Sequence, residues 1–263
     1  MSAIKPQIFA DTETLGRIFS ERLLCLIAET RLAGRRFLLG CPGGRSPRPV
    51  YQAMGQALAA APQDLSHLTI VMMDDYLVQT ARGLDHVPQD SHFSCRRFAD
   101  EEIAGVLNAG LPEAFRIPGV QVWFPDPHDP AAYDGQIAAS GGIDLFILAS
   151  GASDGHVAFN PRGSDRESQT RIVPLAEETR RDNMKTFPDF RSIDEVPGFG
   201  VTVGIDTIAR QSKRAVMIVW GEGKRLAFDR LSEAHDYDPD WPASIVTACR
   251  KPEILADKAA AGT

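Results

Sequence analysis

The stretch RFLLGCPGGRSPRP, residues 36–49, decides the fold. Its apolar start is too short for a helix of its own, Pro42-Gly43-Gly44 interrupts it, and helical spacing follows from about Pro47 to Ala60. Strand, glycine turn and helix in that order form the repeating unit of a parallel α/β sheet. The same unit recurs along the chain. LTIVMM (residues 68–73) runs into Asp74-Asp75-Tyr76, IDLFILAS (143–150) into GASDGHVAFNPRGS, and RAVMIVW (214–220) into the helical GEGKRLAFDRL. Upstream, Leu15, Ile18, Phe19, Leu23, Leu26 and Ile27 recur at helical spacing between an Asp11 N-cap and a terminating Gly34.

These patterns predict one domain over residues 1–263, with a mostly parallel sheet covered on both faces. Ligands of such sheets bind outside the carboxyl ends of the strands, so the four strand endings are expected to converge on one crevice. The formal net charge of −7 and the scattered basic residues argue against a nucleic-acid or acidic-membrane partner. An anionic small molecule held by a few local cations fits. The opening MSAIKPQIFADTET lacks a basic start and a long apolar run, so a cytoplasmic protein is expected. Cys25, Cys41, Cys95 and Cys249 have neither CxxC spacing nor the density of a disulfide framework and read as reduced core thiols.

In CPGGRSPRP the glycines Gly43 and Gly44 would let backbone N–H groups approach an anion, Ser46 adds a hydroxyl, and a helix N-terminus follows. The alternative is a plain turn. The adjacent Asp74 and Asp75 should point to opposite sides, one into the crevice and the other toward solvent or a structural partner. A carboxylate in such a crevice suits a general base acting on a proton beside a carbonyl; a solvated turn or helix cap is the other reading. Asp154 and His156 flank Gly155, a spacing that can set a carboxylate against an imidazole and fix its tautomer for proton transfer with oxygen; a satisfied structural histidine on a loop is the alternative. Lys224, Arg180, Arg181 and Lys185 are candidate phosphate cations, solvent-facing lysines being the other reading. His86, His92 and His128 have no metal-ligand spacing.

Taken in order, LGCPGGRSP, VMMDDYL, DSHFSCRRF, FILASGASDGHVAFNPRGS, TRIVPLAEETRRDN, GVTVGIDTI and VMIVWGEGKRLAF resemble the glucosamine-6-phosphate deaminase/isomerase family, which shares a superfamily with the 6-phosphogluconolactonases. The resemblance spans roughly residues 10 to 250. It implies a Rossmann-like three-layer α/β/α sandwich and conversion of an aminosugar phosphate to a ketose phosphate and ammonia, with no metal or organic cofactor. By motif match, Gly43, Gly44, Arg45 and Ser46 form the phosphate loop, Lys224 is a phosphate cation, and Lys185 stands where the family has a phosphate-contacting arginine. Asp74 matches the base that moves a proton between the first two carbons. Asp154 and His156 match the pair that opens the sugar ring.

One position departs from that pattern. The family's run after the histidine contains a glutamate that partners it, and here Pro161 stands in its place. Asp165 and Glu167 are the nearby carboxylates that a rearranged loop could supply. Lactonases of the superfamily also lack that glutamate, so a lactone hydrolase and a catalytically silent sugar-phosphate sensor stand as alternatives. The sequence leaves the sugar, a homo-oligomer and allosteric control open.

Overall fold

The computed structural model describes residues 3–263. Its strands are β1 (Gln7–Phe9), β2 (Phe37–Cys41), β3 (Leu68–Met72), β4 (Asp74–Thr80), β5 (Gly83–His86), β6 (Val122–Trp123), β7 (Leu145–Ala149), β8 (Arg171–Pro174), β9 (Phe199–Thr202), β10 (Ala215–Val219) and β11 (Pro252–Asp257). Seven of them form one sheet in the order β1-β11-β10-β7-β2-β3-β6, every neighbouring pair parallel. The chain builds outward from β2 to β3 and β6, then returns to the other side of β2 with β7, β10 and β11. That reversal puts the topological switch point between β2 and β7, where the carboxyl ends leave a crevice.

The strands alternate strictly between two cores, as a period of two requires of a sheet buried on both faces. Phe37, Leu39, Leu145, Ile147, Val216 and Ile218 face one side, against the helices Thr12–Leu32 and Arg48–Ala60. Leu38, Phe146, Leu148, Ala215 and Met217 face the other, against Pro130–Ala139, Ile205–Gln211 and Arg225–Glu233. Gly40 sits in the central strand because a Cβ there would lie 2.2 Å from the Phe146 ring. The expected α/β/α sandwich is therefore present. Asp11 caps the first long helix, its side chain accepting from Thr14 N at 2.7 Å. Two details of the sequence reading need correction: Ile18 faces solvent while Leu24 takes a core position, and Cys25 is exposed, so the cysteines are free but not all are core.

A second sheet was not anticipated. LTIVMMDDYL reads as one strand, yet the run breaks at Met73, and β4 joins an antiparallel sheet of order β5-β4-β9-β8. Both halves of the run are buried, so hydrophobicity gives no sign of the break. The hydrogen bonds do: Met73 N donates to Cys41 O at 3.3 Å in the first sheet, and Met73 O accepts from Val203 N at 2.8 Å beside the second. Beneath this smaller sheet lies its own core, which includes Tyr76, Phe159, Val173, Phe190 and Val196.

Candidate active site

At the switch point a cavity of about 350 Å³ collects residues from six chain segments, a size within the usual range for a small-molecule site. Eight of the nine sequence-predicted site residues line it: Gly43, Gly44, Arg45, Ser46, Asp74, His156, Lys185 and Lys224. The ninth, Asp154, stands behind His156. Arg180 and Arg181 do not join them. Arg180 donates to the carbonyls of Ile193 and Val196, and Arg181 pairs with Glu177 on the exposed side of its helix.

The glycine loop leaves β2 and enters the helix Arg48–Ala60, with Gly44 at φ +95°, a conformation that favours glycine. It is tied across the sheet by Trp220 Nε1, which donates to Ser46 O at 2.9 Å. Lys224 follows β10, and its ammonium donates to Ser150 O at the end of β7. Burial lowers the Lys224 pKa below the ordinary lysine value, opposed by the charge of Asp182 and assisted by that of Arg45. Three cations, Arg45, Lys185 and Lys224, thus face one space.

The dyad depends on two glycines. Asp154 Oδ1 lies 2.8 Å from His156 Nδ1, so with the carboxylate ionised Nδ1 carries the proton and Nε2 is the nitrogen available to a bound molecule. Burial pushes the Asp154 carboxyl up, but the hydrogen bonds and charge of His156 outweigh it and leave its pKa below the ordinary carboxylate value. Gly155 turns at φ +67°, and a Cβ there would sit 2.3 Å from the Trp241 ring. A Cβ at Gly151 would be 2.1 Å from Asp154 Oδ1 and 2.4 Å from His156 Nδ1. Beyond the histidine, Ala158 holds φ +52° on the cavity wall while Asn160 pins the loop, donating to Val203 O at 2.8 Å and accepting from Arg171 at 2.9 Å.

Asp74 and Asp75 divide their work as alternation predicts. Asp75 points into the protein and is fully buried, accepting from Tyr76 N at 2.9 Å, Cys95 N at 3.1 Å and His86 Nδ1 at 2.8 Å, with Arg96 at 3.4 Å. His86 is thereby a structural partner, and His92 packs edge-on against Phe93 and Phe190. Asp74 points into the cavity. Burial first, and the charge of Asp75 second, push its carboxyl up to about 7, while a contact from Cys95 Sγ at 3.7 Å works in the opposite direction. A carboxyl poised near neutrality in a half-apolar cleft suits a general base. The Cys95 thiol is itself pushed far up by burial, which argues against a nucleophilic thiolate.

Neither Asp165 nor Glu167 reaches this cavity; Asp165 instead accepts from Glu167 N at 2.9 Å in a surface turn. The additional carboxylate comes from Asp182, on the helix Glu177–Thr186, a residue that sequence reasoning passed over. In the sequence it sits in a run of charges that reads as a solvated helix face. The sequence carries no signal for it; the structure shows Thr179, three residues earlier, almost wholly buried, with Oγ1 3.4 Å from His156 Nδ1. Asp154, His156 and Asp182 offer ligand atoms within 4.8 Å of one another. The neighbouring Lys185 and Lys224 ammonium groups oppose a cation there.

Comparison with known proteins places this architecture. The family model described as glucosamine-6-phosphate isomerases/6-phosphogluconolactonase matches residues 10–255. The chain belongs to that family. It is 35% identical over 230 residues to a glucosamine-6-phosphate deaminase of Beutenbergia cavernae, covering 85% of this chain and 80% of the relative. It is 30% identical over 237 residues to a glucosamine-6-phosphate isomerase of Candida albicans, covering 90% of each. Among solved structures, a monomeric glucosamine-6-phosphate deaminase superposes with a TM-score of 0.83 at 24% identity, over 98% of this chain and 99% of that one. The 6-phosphogluconolactonase of Leishmania guyanensis follows at 0.69 and 17% identity, over 98% and 97%. At those identities the two structures speak for the fold.

Proposed function

We propose that this family member is a sugar-phosphate aldose–ketose isomerase/deaminase of the glucosamine-6-phosphate deaminase kind. One observation carries the reading: three cations and a glycine loop share a single cavity with an imidazole–carboxylate dyad and a carboxyl held near neutrality. The phosphate is gripped by Gly43, Gly44, Arg45 and Ser46, with Lys185 and Lys224. His156 Nε2 takes the proton from the anomeric hydroxyl and gives one to the ring oxygen, while Asp154 holds the ring and stabilises its charged form. Asp74 removes the proton from C2 of the opened aldose and returns it to C1, through an enolamine. Water then adds to the resulting C2 imine, and ammonia leaves with the ketose phosphate. Binding through the phosphate keeps the reacting carbons in register with Asp74 throughout.

The turn Asp154-Gly155-His156 without a glutamate at Pro161 also fits a lactonase, in which the imidazole would activate water against a lactone carbonyl. The Met73-Asp74-Asp75-Tyr76 turn favours the deaminase. A substrate panel decides: ammonia released from glucosamine 6-phosphate or galactosamine 6-phosphate supports the reading, and opening of 6-phosphogluconolactone without ammonia from either aminosugar overturns it. We infer further that the whole chain acts as one domain in the cytoplasm. Among the described residues no helix is long and apolar enough to cross a membrane.

A further inference from the structure

Asp182 is the one charged cavity residue to which the scheme above gives no role. Its Oδ1 accepts from Lys185 Nζ at 3.1 Å, and its Oδ2 is 3.4 Å from Ala152 N in the loop after β7. Among charged neighbours it is also the strongest influence on Lys224. On its other side, its carboxylate lies within 4.8 Å of ligand atoms of both Asp154 and His156. It therefore lies close both to two phosphate cations and to the proton-transferring dyad.

A phosphate dianion and this carboxylate compete for the same ammonium groups. The Lys185 side chain is 65% exposed, so the pair it forms with Asp182 is of the weak, readily exchanged kind. Once a phosphoryl group has taken Lys185 and Lys224, the cationic partner left within reach of Asp182 is the imidazolium of His156. The other charged groups around that ring are Asp154, bonded to Nδ1, and Arg162, which donates to the carbonyls of Ser153 and Asp154.

We propose that Asp182 is an exchangeable counter-ion: it neutralises Lys185 and Lys224 in the empty pocket and, when a sugar phosphate displaces it, leaves its charge free to stabilise the imidazolium that forms at His156. In this role it is a positioning residue acting through the imidazole, and it supplies from a helix the carboxylate that Pro161 cannot. The inference rests on the sugar-phosphate reading of the cavity. It predicts an unusual combination, in which removing one charge tightens binding and slows turnover together.

The test compares the native protein with Asp182→Asn and Asp182→Glu, using calorimetric binding of inorganic phosphate and steady-state turnover of glucosamine 6-phosphate. Asp182→Asn is expected to bind phosphate about five-fold more tightly and to show a lowered KM, because a competing anion is gone. Its kcat should fall about ten-fold or more, and Asp182→Glu should restore part of that loss. A merely structural aspartate gives the reverse, with weaker phosphate binding and a raised KM, and a misfolded variant cannot gain affinity. Unchanged or weaker phosphate binding in Asp182→Asn overturns the proposal, as does an unchanged kcat. Absence of turnover by the native protein instead defeats the deaminase reading, while the phosphate measurement still decides whether Asp182 is the counter-ion.

Discussion

Asp74→Asn probes the base through stability as well as activity. Burial and the Asp75 charge hold the Asp74 carboxyl at about 7, against an ordinary 3.8 in an unfolded chain. Between those values the folded protein binds a proton that the unfolded chain does not, so stability falls as pH rises. The contribution is fully present below about 3.8 and is lost as pH passes through about 7. Each pH unit in that window is worth about 1.4 kcal/mol, so from pH 5 to pH 8.5 the native protein should lose about 3 kcal/mol from this group. Asparagine is nearly isosteric and never ionises, so the variant escapes the loss. Urea unfolding at the two pH values should show the variant gaining about 3 kcal/mol on the native protein at the higher one. In parallel, kcat/KM of the native enzyme should fall as pH drops below about 7. The variant should lose exchange of the C2 proton with solvent, with kcat reduced about 100-fold or more, while phosphate binding persists. A stability difference that is the same at both pH values would refute the burial argument, and surviving C2 exchange would remove Asp74 from the chemistry.

Gly151→Ala should abolish ring opening while leaving the fold intact, because its new methyl would occupy the space of the Asp154–His156 contact at 2.1 and 2.4 Å. Circular dichroism and phosphate calorimetry should be near native, and activity restored to native levels would contradict the geometry. Lys224→Ala should raise KM and weaken inorganic phosphate binding by roughly 10- to 100-fold, the worth of one charge-assisted contact. An equal loss in kcat with unchanged KM would show instead that Lys224 serves the reacting carbons.

What the sequence disclosed was what lies close together along the chain. Asp154 and His156 are two residues apart, the glycine loop abuts both its strand and its helix, and Asp74 ends an apolar run, so each could be found locally. The break at Met73 could not, since it is imposed by a hydrogen bond to Cys41 and one from Val203, both remote in sequence and buried alike. Asp182 was hidden for a different reason. A helix of composition EETRRDNMKT has the look of a fully solvated surface, and only its docking through Thr179 turns one of its charges inward. The departure from the family pattern was visible at Pro161, but the carboxylate proposed to replace the glutamate lies some twenty residues downstream on another element, where no motif points.

Met73 bonds to the parallel sheet on one side and to the segment following β9 on the other. The glycine loop and Lys224 belong to the first framework, and Asp74 to the second. The span between the proposed phosphate anchor and the proposed base is accordingly set by the angle at which two slabs meet. Adaptation to a longer or shorter sugar could then proceed through hydrocarbon packing beneath Tyr76 and Phe190, with every reactive side chain left as it is.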